Sequence, residues 1–254
     1  MNKKLHFGTN HMDCLEGLKL IKDNSIDLII TSPPYNLGNK HHTRDKVFKA
    51  YSEYDDNMPE ELYQKWQIEI LNECFRVLKD DGSIWYNHKN RIKEGVQISP
   101  YEWINNSKFK NLIKQEIVWH NGSPNFDKIR FYPQTERIYW MAKSPKTKMF
   151  NSISHNDIFS MSEWKAVGTK GEFKRAFPEQ MVQDILSCFE NSEIVMDIFG
   201  GSGTTHKIAL KNNRKFIGFE LSKQYIDIEE KRIKECGLWC YDENYNIIKG
   251  ESNE

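Results

Sequence analysis

The chain has 254 residues, and its 36 Lys and Arg balance 36 Asp and Glu. A chain of this length holds one large domain, read here as residues 1–254. Zero net charge excludes attachment to nucleic acid by bulk charge, while a local basic groove stays open. No apolar run approaches membrane-spanning length and none follows Met1-Asn2-Lys3-Lys4, so a cytoplasmic protein is expected. Cys14, Cys74, Cys188, Cys236 and Cys240 lack the paired spacing of a metal site, and no metal is expected.

Short β-branched runs alternate with longer periodic segments, which predicts an α/β fold: a doubly wound, mostly parallel sheet with helices on both faces. Ile26–Ile30 reads as a buried strand that stops at Pro33-Pro34, where two residues without an N–H end regular pairing. The spacing of Leu62, Trp66, Ile70, Cys74, Val77 and Leu78 predicts a helix over 59–79, opened by Pro59 and stopped by Gly82. Strands are predicted at Ser83–Tyr86, Glu116–Trp119 and Arg137–Met141. Residues 144–174 have weak periodicity and are basic, with Lys143, Lys146, Lys148, Lys165, Lys170, Lys174 and Arg175 in and beside them. Pro178 opens a helix with Met181, Ile185 and Phe189 on one face. Then come a strand at Ile194–Asp197, a helix from Thr204 to Asn212, a strand at Phe216–Glu220 and a helix capped by Ser222 that runs to Ile233. The tail from Asp242 is polar and expected to fray.

Two segments carry chemistry. The late one, Asp197-Ile198-Phe199-Gly200-Gly201-Ser202-Gly203-Thr204-Thr205, is a strand, a glycine turn and a helix start, half of a doubly wound nucleotide site. It has neither the dinucleotide glycine spacing nor a P-loop lysine, which points to a nucleoside without phosphates. Glu220 ends the next strand, where an acid accepts hydrogen bonds from ribose hydroxyls, and Leu221 can cover the adenine.

The early segment, Ser32-Pro33-Pro34-Tyr35, puts a rigid extended backbone at the carboxyl edge of the sheet. A Pro33 carbonyl and a Ser32 oxygen can accept from an exocyclic amino group, and Tyr35 can stack on its ring. That grip steers the amino lone pair toward an electrophilic methyl, and alignment supplies much of the acceleration. Stacking is worth about 1–3 kcal/mol, comparable to the few kcal/mol that extruding a base from a duplex costs.

At these residues the chain resembles a DNA amino-methyltransferase, in which methyl passes from S-adenosylmethionine to cytosine N4 or adenine N6. The catalytic-type segment precedes the cofactor-type segment, which resembles the permuted beta group. The resemblance extends to Asp13-Cys14-Leu15 with Asn24-Ser25-Ile26-Asp27, to Arg76-Val77-Leu78-Lys79 with Gly82, and to Phe177-Pro178. It implies that Ser32, Pro33, Pro34 and Tyr35 hold the target base. It also implies that Asp13, Phe177, Asp197, Phe199, Gly201, Gly203, Thr204, Thr205, Glu220 and Leu221 hold S-adenosylmethionine.

The same resemblance makes 144–174 a short target-recognition insertion. It implies double-stranded DNA as partner and a restriction-modification setting with a cognate endonuclease. Two departures stand out. Ser32 occupies the place where many adenine enzymes carry Asp, which leaves the target base open. Gln134-Thr135-Glu136-Arg137 stands where the family often has His-Glu, and no role is assigned there. His41, His42, Thr43, Arg44 and Lys46 read equally as a loop over the target base and as a solvated charged loop, while Phe126, Lys128, Arg130 and Tyr132 mix bases and aromatics as a groove tracking a DNA strand would. RNA or a protein amide as substrate, or a catalytically silent nucleic-acid-binding partner, stay open as alternatives.

Overall fold

The structure is a computed structural model and describes residues 5–38, 40–42, 47–49, 54, 56–122, 128–149, 157–160, 163–165, 176–241 and 247–249. Its centre is an eight-stranded sheet. In chain order β1 (Gly8–His11) leads to α1 (Cys14–Leu20) and β2 (Ile26–Thr31), and a two-stranded ribbon, β3 (Lys40–His42) and β4 (Val47–Lys49), follows. Next come α2 (Glu60–Val77), β5 (Leu78–His88), a small hairpin of β6 (Arg91–Lys93) and β7 (Val96–Ile98), and α3 (Tyr101–Ile104). Then follow β8 (Ile113–His120), β9 (Thr135–Ala142), β10 (Ile158–Phe159), α4 (Glu179–Cys188), β11 (Ile194–Asp197), α5 (Thr204–Lys211), β12 (Lys215–Glu220) and α6 (Lys223–Glu235). A last ribbon joins β13 (Leu238–Tyr241) to β14 (Ile247–Lys249), so part of the expected frayed tail is paired.

The sheet order is β1-β12-β11-β2-β5-β9-β8-β10. All neighbours from β1 to β5 are parallel, and β9 runs antiparallel between β5 and β8. The carboxyl ends of β2, β5, β11 and β12 therefore share one edge, and β9 brings its amino end to that same edge. This is where side chains of open α/β sheets converge on ligands.

Alternation along the strands builds two cores. Ile26, Ile29, Ile84, Tyr86, Tyr139, Met141 and Met196 face one core, which also takes Leu18, Ile70 and Trp103 from α1, α2 and α3. Leu28, Ile30, Trp85, Ile138, Trp140 and Val195 face the other, with Met181 and Ile185 of α4 and Ile208 of α5. Helices on both faces follow from this period of two. Close approach has fixed one glycine: a Cβ on Gly17 would lie 2.3 Å from the Phe219 ring.

Gly82 plays a different part from the one expected. The helix ends at Val77, with Leu78 already extended at ψ 140°, and Gly82 lies inside β5. A Cβ there would come within 3.0 Å of the Asp27 carbonyl, beside an irregularity in the β2–β5 register, so close backbone passage requires the glycine. Within 144–174 the described residues are more regular than the sequence suggests. β10 adds an edge strand parallel to β8, Phe159 stacks on buried Trp164 at 3.6 Å, and Trp164 Nε1 donates to Asp184.

Candidate active site

The glycine turn leaves β11 and enters α5. Gly200 N donates to the Phe219 carbonyl at 2.8 Å, and Gly203 N donates to the Gly200 carbonyl at 2.9 Å. Gly201 and Gly203 take φ of +52° and +77°, the left-handed region that favours glycine. A Cβ on Gly203 would lie 2.2 Å from Glu229 Cγ, whereas one on Gly201 would meet only the Phe199 carbonyl at 3.8 Å. The turn is thus packed from below at Gly203 and open above Gly201.

Glu220 closes the turn from the next strand. Its Oε2 accepts from Gly201 N and its Oε1 from Ser222 N, each at 2.8 Å. Burial raises its pKa above the ordinary carboxylate value, against the pull of those N–H donors. Ser222 stands at the N-cap of α6 as expected, but its side chain makes no capping bond. Asp13 caps α1, and both bonds, from Leu15 N and Glu16 N, fall on Oδ1.

Asp197, Thr204 and Thr205, expected at the cofactor, are buried beneath the glycine turn. Asp197 is buried, with Oδ1 accepting from Thr31 Oγ1 at 2.8 Å and Phe199 N at 3.1 Å, and Oδ2 accepting from Thr205 Oγ1 at 2.8 Å. Thr204 is buried too, and its hydroxyl accepts from Arg232 at 3.2 Å. These groups brace the turn from beneath. The Thr31–Asp197 bond ties the ends of two adjacent parallel strands, β2 and β11, and with them the two motif turns.

Burial pushes the Asp197 carboxyl up to about 7, opposed by the three hydrogen bonds it accepts. An acid raised in the folded state holds its proton preferentially there. The stability this supplies is complete below about pH 4 and is lost as pH rises through about 7. Wild-type stability should therefore fall relative to Asp197→Asn between about pH 4 and pH 8, by a few kcal/mol at most at about 1.4 kcal/mol per unit. Urea unfolding of both proteins across that range checks the sign.

On the other side, Ser32-Pro33-Pro34-Tyr35 leaves β2. Tyr63 of α2 donates its hydroxyl hydrogen to the Pro34 carbonyl at 2.7 Å. The same hydroxyl lies 2.7 Å from His88 Nε2. His88 Nδ1 lies against the Lys89 backbone, 2.9 Å from its nitrogen and 2.8 Å from its carbonyl oxygen. The ring is neutral, because complete burial, helped by nearby Arg91 and Lys89, lowers its pKa to about 3. A neutral chain from Lys89 through His88 and Tyr63 therefore fixes the proline turn. Beyond it, Asn36 N and Leu37 N donate to buried Asp56, and Asn36 exchanges two bonds with the Met58 backbone. Tyr63 also meets Trp66, whose ring packs edge-on to Phe199 at 5.7 Å, so α2 touches both turns.

A third strand completes the site. Tyr35 Oη donates to Glu136 Oε2 at 2.9 Å and lies 2.8 Å from Ser32 Oγ. Asn87 Nδ2 donates to Tyr35 Oη at 2.7 Å and to Glu136 Oε2 at 2.8 Å, and Asn121 Nδ2 donates to Glu136 Oε1 at 2.8 Å. The Tyr35 ring tilts over His88, with centroids 4.6 Å apart. Glu136, Asn87, Asn121, Tyr63, His88 and Asp56 were not found from sequence. The one available signal was the Gln-Thr-Glu-Arg stretch, an acid at a strand start.

A nucleoside bearing a sulfonium methyl suits this donor set: an open glycine, a strand-end carboxylate, an aromatic ring and no phosphate-binding lysine. Of the expected DNA contacts, residues 43–46 and Phe126 lie outside the described residues, as do the side chains of His41 and His42. Lys170, Lys174 and Arg175 lie outside them as well. Lys128, Arg130 and Tyr132 are on the loop before β9, with Phe131 at 99% exposure.

A Ser-Pro-Pro-Tyr turn and a glycine turn rise from neighbouring strands, β2 and β11, the arrangement expected of an amino-methyltransferase. The family model described as DNA methylase matches residues 26–231, and the chain belongs to that family. It is 30% identical over 275 aligned residues to the type II methyltransferase M.BglII of Bacillus subtilis, covering 95% of this chain and 69% of that one. It is 31% identical over 249 residues to the type II methyltransferase M.HinfI of Haemophilus influenzae, covering 88% and 67%.

Among solved structures, the cytosine-N4-specific PvuII DNA methyltransferase has a TM-score of 0.69 at 24% identity, covering 91% of this chain and 89% of that one. The M1.HpyAVI complex with S-adenosylmethionine has a TM-score of 0.58 at 21% identity, covering 90% and 99%. The chain is thus an S-adenosylmethionine-dependent DNA amino-methyltransferase. Among the described residues no helix is long and apolar enough to cross a membrane.

Proposed function

We infer that the enzyme extrudes one base from duplex DNA and methylates its exocyclic amino group, cytosine N4 or adenine N6, between the two turns. The observation that carries this is the Thr31–Asp197 bond, which locks the strand before the Ser-Pro-Pro-Tyr turn to the strand before the glycine turn.

Tyr63 occupies the Pro34 carbonyl, so the Pro33 carbonyl and Ser32 Oγ are assigned to the amino hydrogens. Tyr35 stacks on the base. Pro34 holds the turn. Asp13, Phe177, Phe199, Gly201, Gly203, Glu220 and Leu221 would hold S-adenosylmethionine, with Asp197, Thr204 and Thr205 bracing their loop. The bound cofactor supplies an electrophilic methyl; the protein supplies alignment.

Target reading is assigned to the basic 144–174 stretch. The loop of Lys128, Arg130 and Phe131 forms a DNA-facing lip, since it runs straight into Glu136. A cognate endonuclease is the expected companion. Incubation with labelled S-adenosylmethionine and duplex DNA tests the reading, followed by mass spectrometry of the nucleosides. N4-methylcytosine or N6-methyladenine is expected. Label in RNA or protein amide alone, or no cofactor binding, would overturn it.

A further inference from the structure

We propose that Glu136 is a positioning residue that sets the polarity of the Ser32 hydroxyl and receives, through Tyr35, the proton that the target amino group loses. This rests on the reading of Ser32 as a partner of the amino group.

The direction of every hydrogen in the network follows from what each group can do. A carboxylate only accepts, and a carboxamide nitrogen only donates. Asn87 Nδ2 lies between Tyr35 Oη and Glu136 Oε2 and gives one hydrogen to each. The reverse amide orientation would set its oxygen against the carboxylate. The hydrogen in the 2.9 Å Tyr35–Glu136 bond must then come from Tyr35. With its own hydrogen spent, Tyr35 Oη can only accept at the 2.8 Å contact with Ser32, so Ser32 Oγ–H donates to it. The lone pairs of Ser32 Oγ are thereby left toward the ligand. Ser32 is made an acceptor, as an amino group requires, by a charge two hydroxyls away. A neutral residue thus does the work that a carboxylate at position 32 would do directly.

The same path carries a proton. The amino nitrogen forms a bond to the methyl carbon, and the carbon–sulfur bond breaks with its electron pair staying on sulfur. The nitrogen is now cationic. One of its protons passes to Ser32 Oγ, the Ser32 hydrogen to Tyr35 Oη and the Tyr35 hydrogen to Glu136 Oε2. The carboxylate becomes a carboxylic acid and returns the proton to water before the next turnover. Asn121 on the second carboxylate oxygen and Asn87 on the first hold Glu136 in register throughout. Asn87 is itself 2% exposed, so it excludes water from the link between Tyr35 and Glu136.

Glu136→Gln and Tyr35→Phe test the relay by separate cuts. Steady-state transfer to duplex DNA is measured, with cofactor affinity followed by calorimetry. In both variants kcat is expected to fall about 10²-fold, the lower end for lost general-base assistance. KM for DNA and cofactor affinity should stay within about twofold.

A kcat within about twofold of wild type in either variant overturns the relay. If Glu136→Gln does not fold, Tyr35→Phe, which keeps the ring, decides alone. If wild-type protein does not label amino groups of DNA, the underlying reading has failed. If wild type labels and both variants match it, only the relay has.

Discussion

Tyr35→Ala is expected to lower kcat/KM for methyl transfer by about 10²-fold or more while cofactor affinity stays within about twofold. The lost stack accounts for about 1–3 kcal/mol, and about 1.4 kcal/mol is a factor of ten in rate. The truncation also removes the hydroxyl that Ser32, Asn87 and Glu136 share, so position and polarity fail together. Cofactor binding is spared because Tyr35 belongs to the turn after β2 and makes none of the bonds that shape the glycine turn. Calorimetric titration of S-adenosylmethionine beside a labelled-DNA assay separates the two. A variant that loses cofactor affinity would contradict the division of labour between the turns.

Gly203→Ala should abolish measurable cofactor binding and destabilise the protein. The added Cβ meets Glu229 Cγ at 2.2 Å, and Glu229 cannot yield easily. It is buried under α5, where Thr9 Oγ1 donates to it at 2.5 Å and His206 Nδ1 contacts it closely. Overpacking of this kind costs about 1–3 kcal/mol, a fall in Tm of roughly 5 °C for a chain of this size. Gly201→Ala is the control. Its Cβ has room, so it carries only the left-handed backbone cost of about 1–2 kcal/mol, and it obstructs the ligand side of the turn. Thermal melts with and without S-adenosylmethionine distinguish them: Gly203→Ala melts low in both, and Gly201→Ala shows little cofactor-induced rise.

Much of this architecture was legible because it is written in local patterns. The strands of the central sheet are apolar runs, α2 and α4 carry helical spacing, and each motif turn follows its strand directly. What escaped has identifiable causes. β1 is Gly-Thr-Asn-His and reads as polar; its Asn10 is buried because Nδ2 donates to the His6, Gly8 and Gly218 carbonyls. Gly82 read as a helix stop because a close backbone crossing with Asp27 leaves no trace in the local sequence.

The site divides the same way. Ser32, Tyr35 and Glu220 announce themselves by position after a strand. Asn87, Asn121 and Glu136 reach one another only through the β5–β9–β8 pairing, which opposes Asn87 to Ile138 and Trp119 to Glu136. Thr31 and Asp197 are 166 positions apart, and only the neighbouring of β2 and β11 makes them partners.

That neighbouring bears on how the protein comes into being. β1 pairs with β12 alone among the described strands, and β2 waits for β11 on one side. As the polypeptide leaves the ribosome, the Ser-Pro-Pro-Tyr turn emerges early, yet its bracing partner is still unmade until nearly residue 200. Long-range parallel pairing of this kind is slow to form. Competence to modify DNA should therefore switch on in one late step of synthesis. An arrested nascent chain that stops short of β11 holds every atom of that turn and should transfer no methyl group.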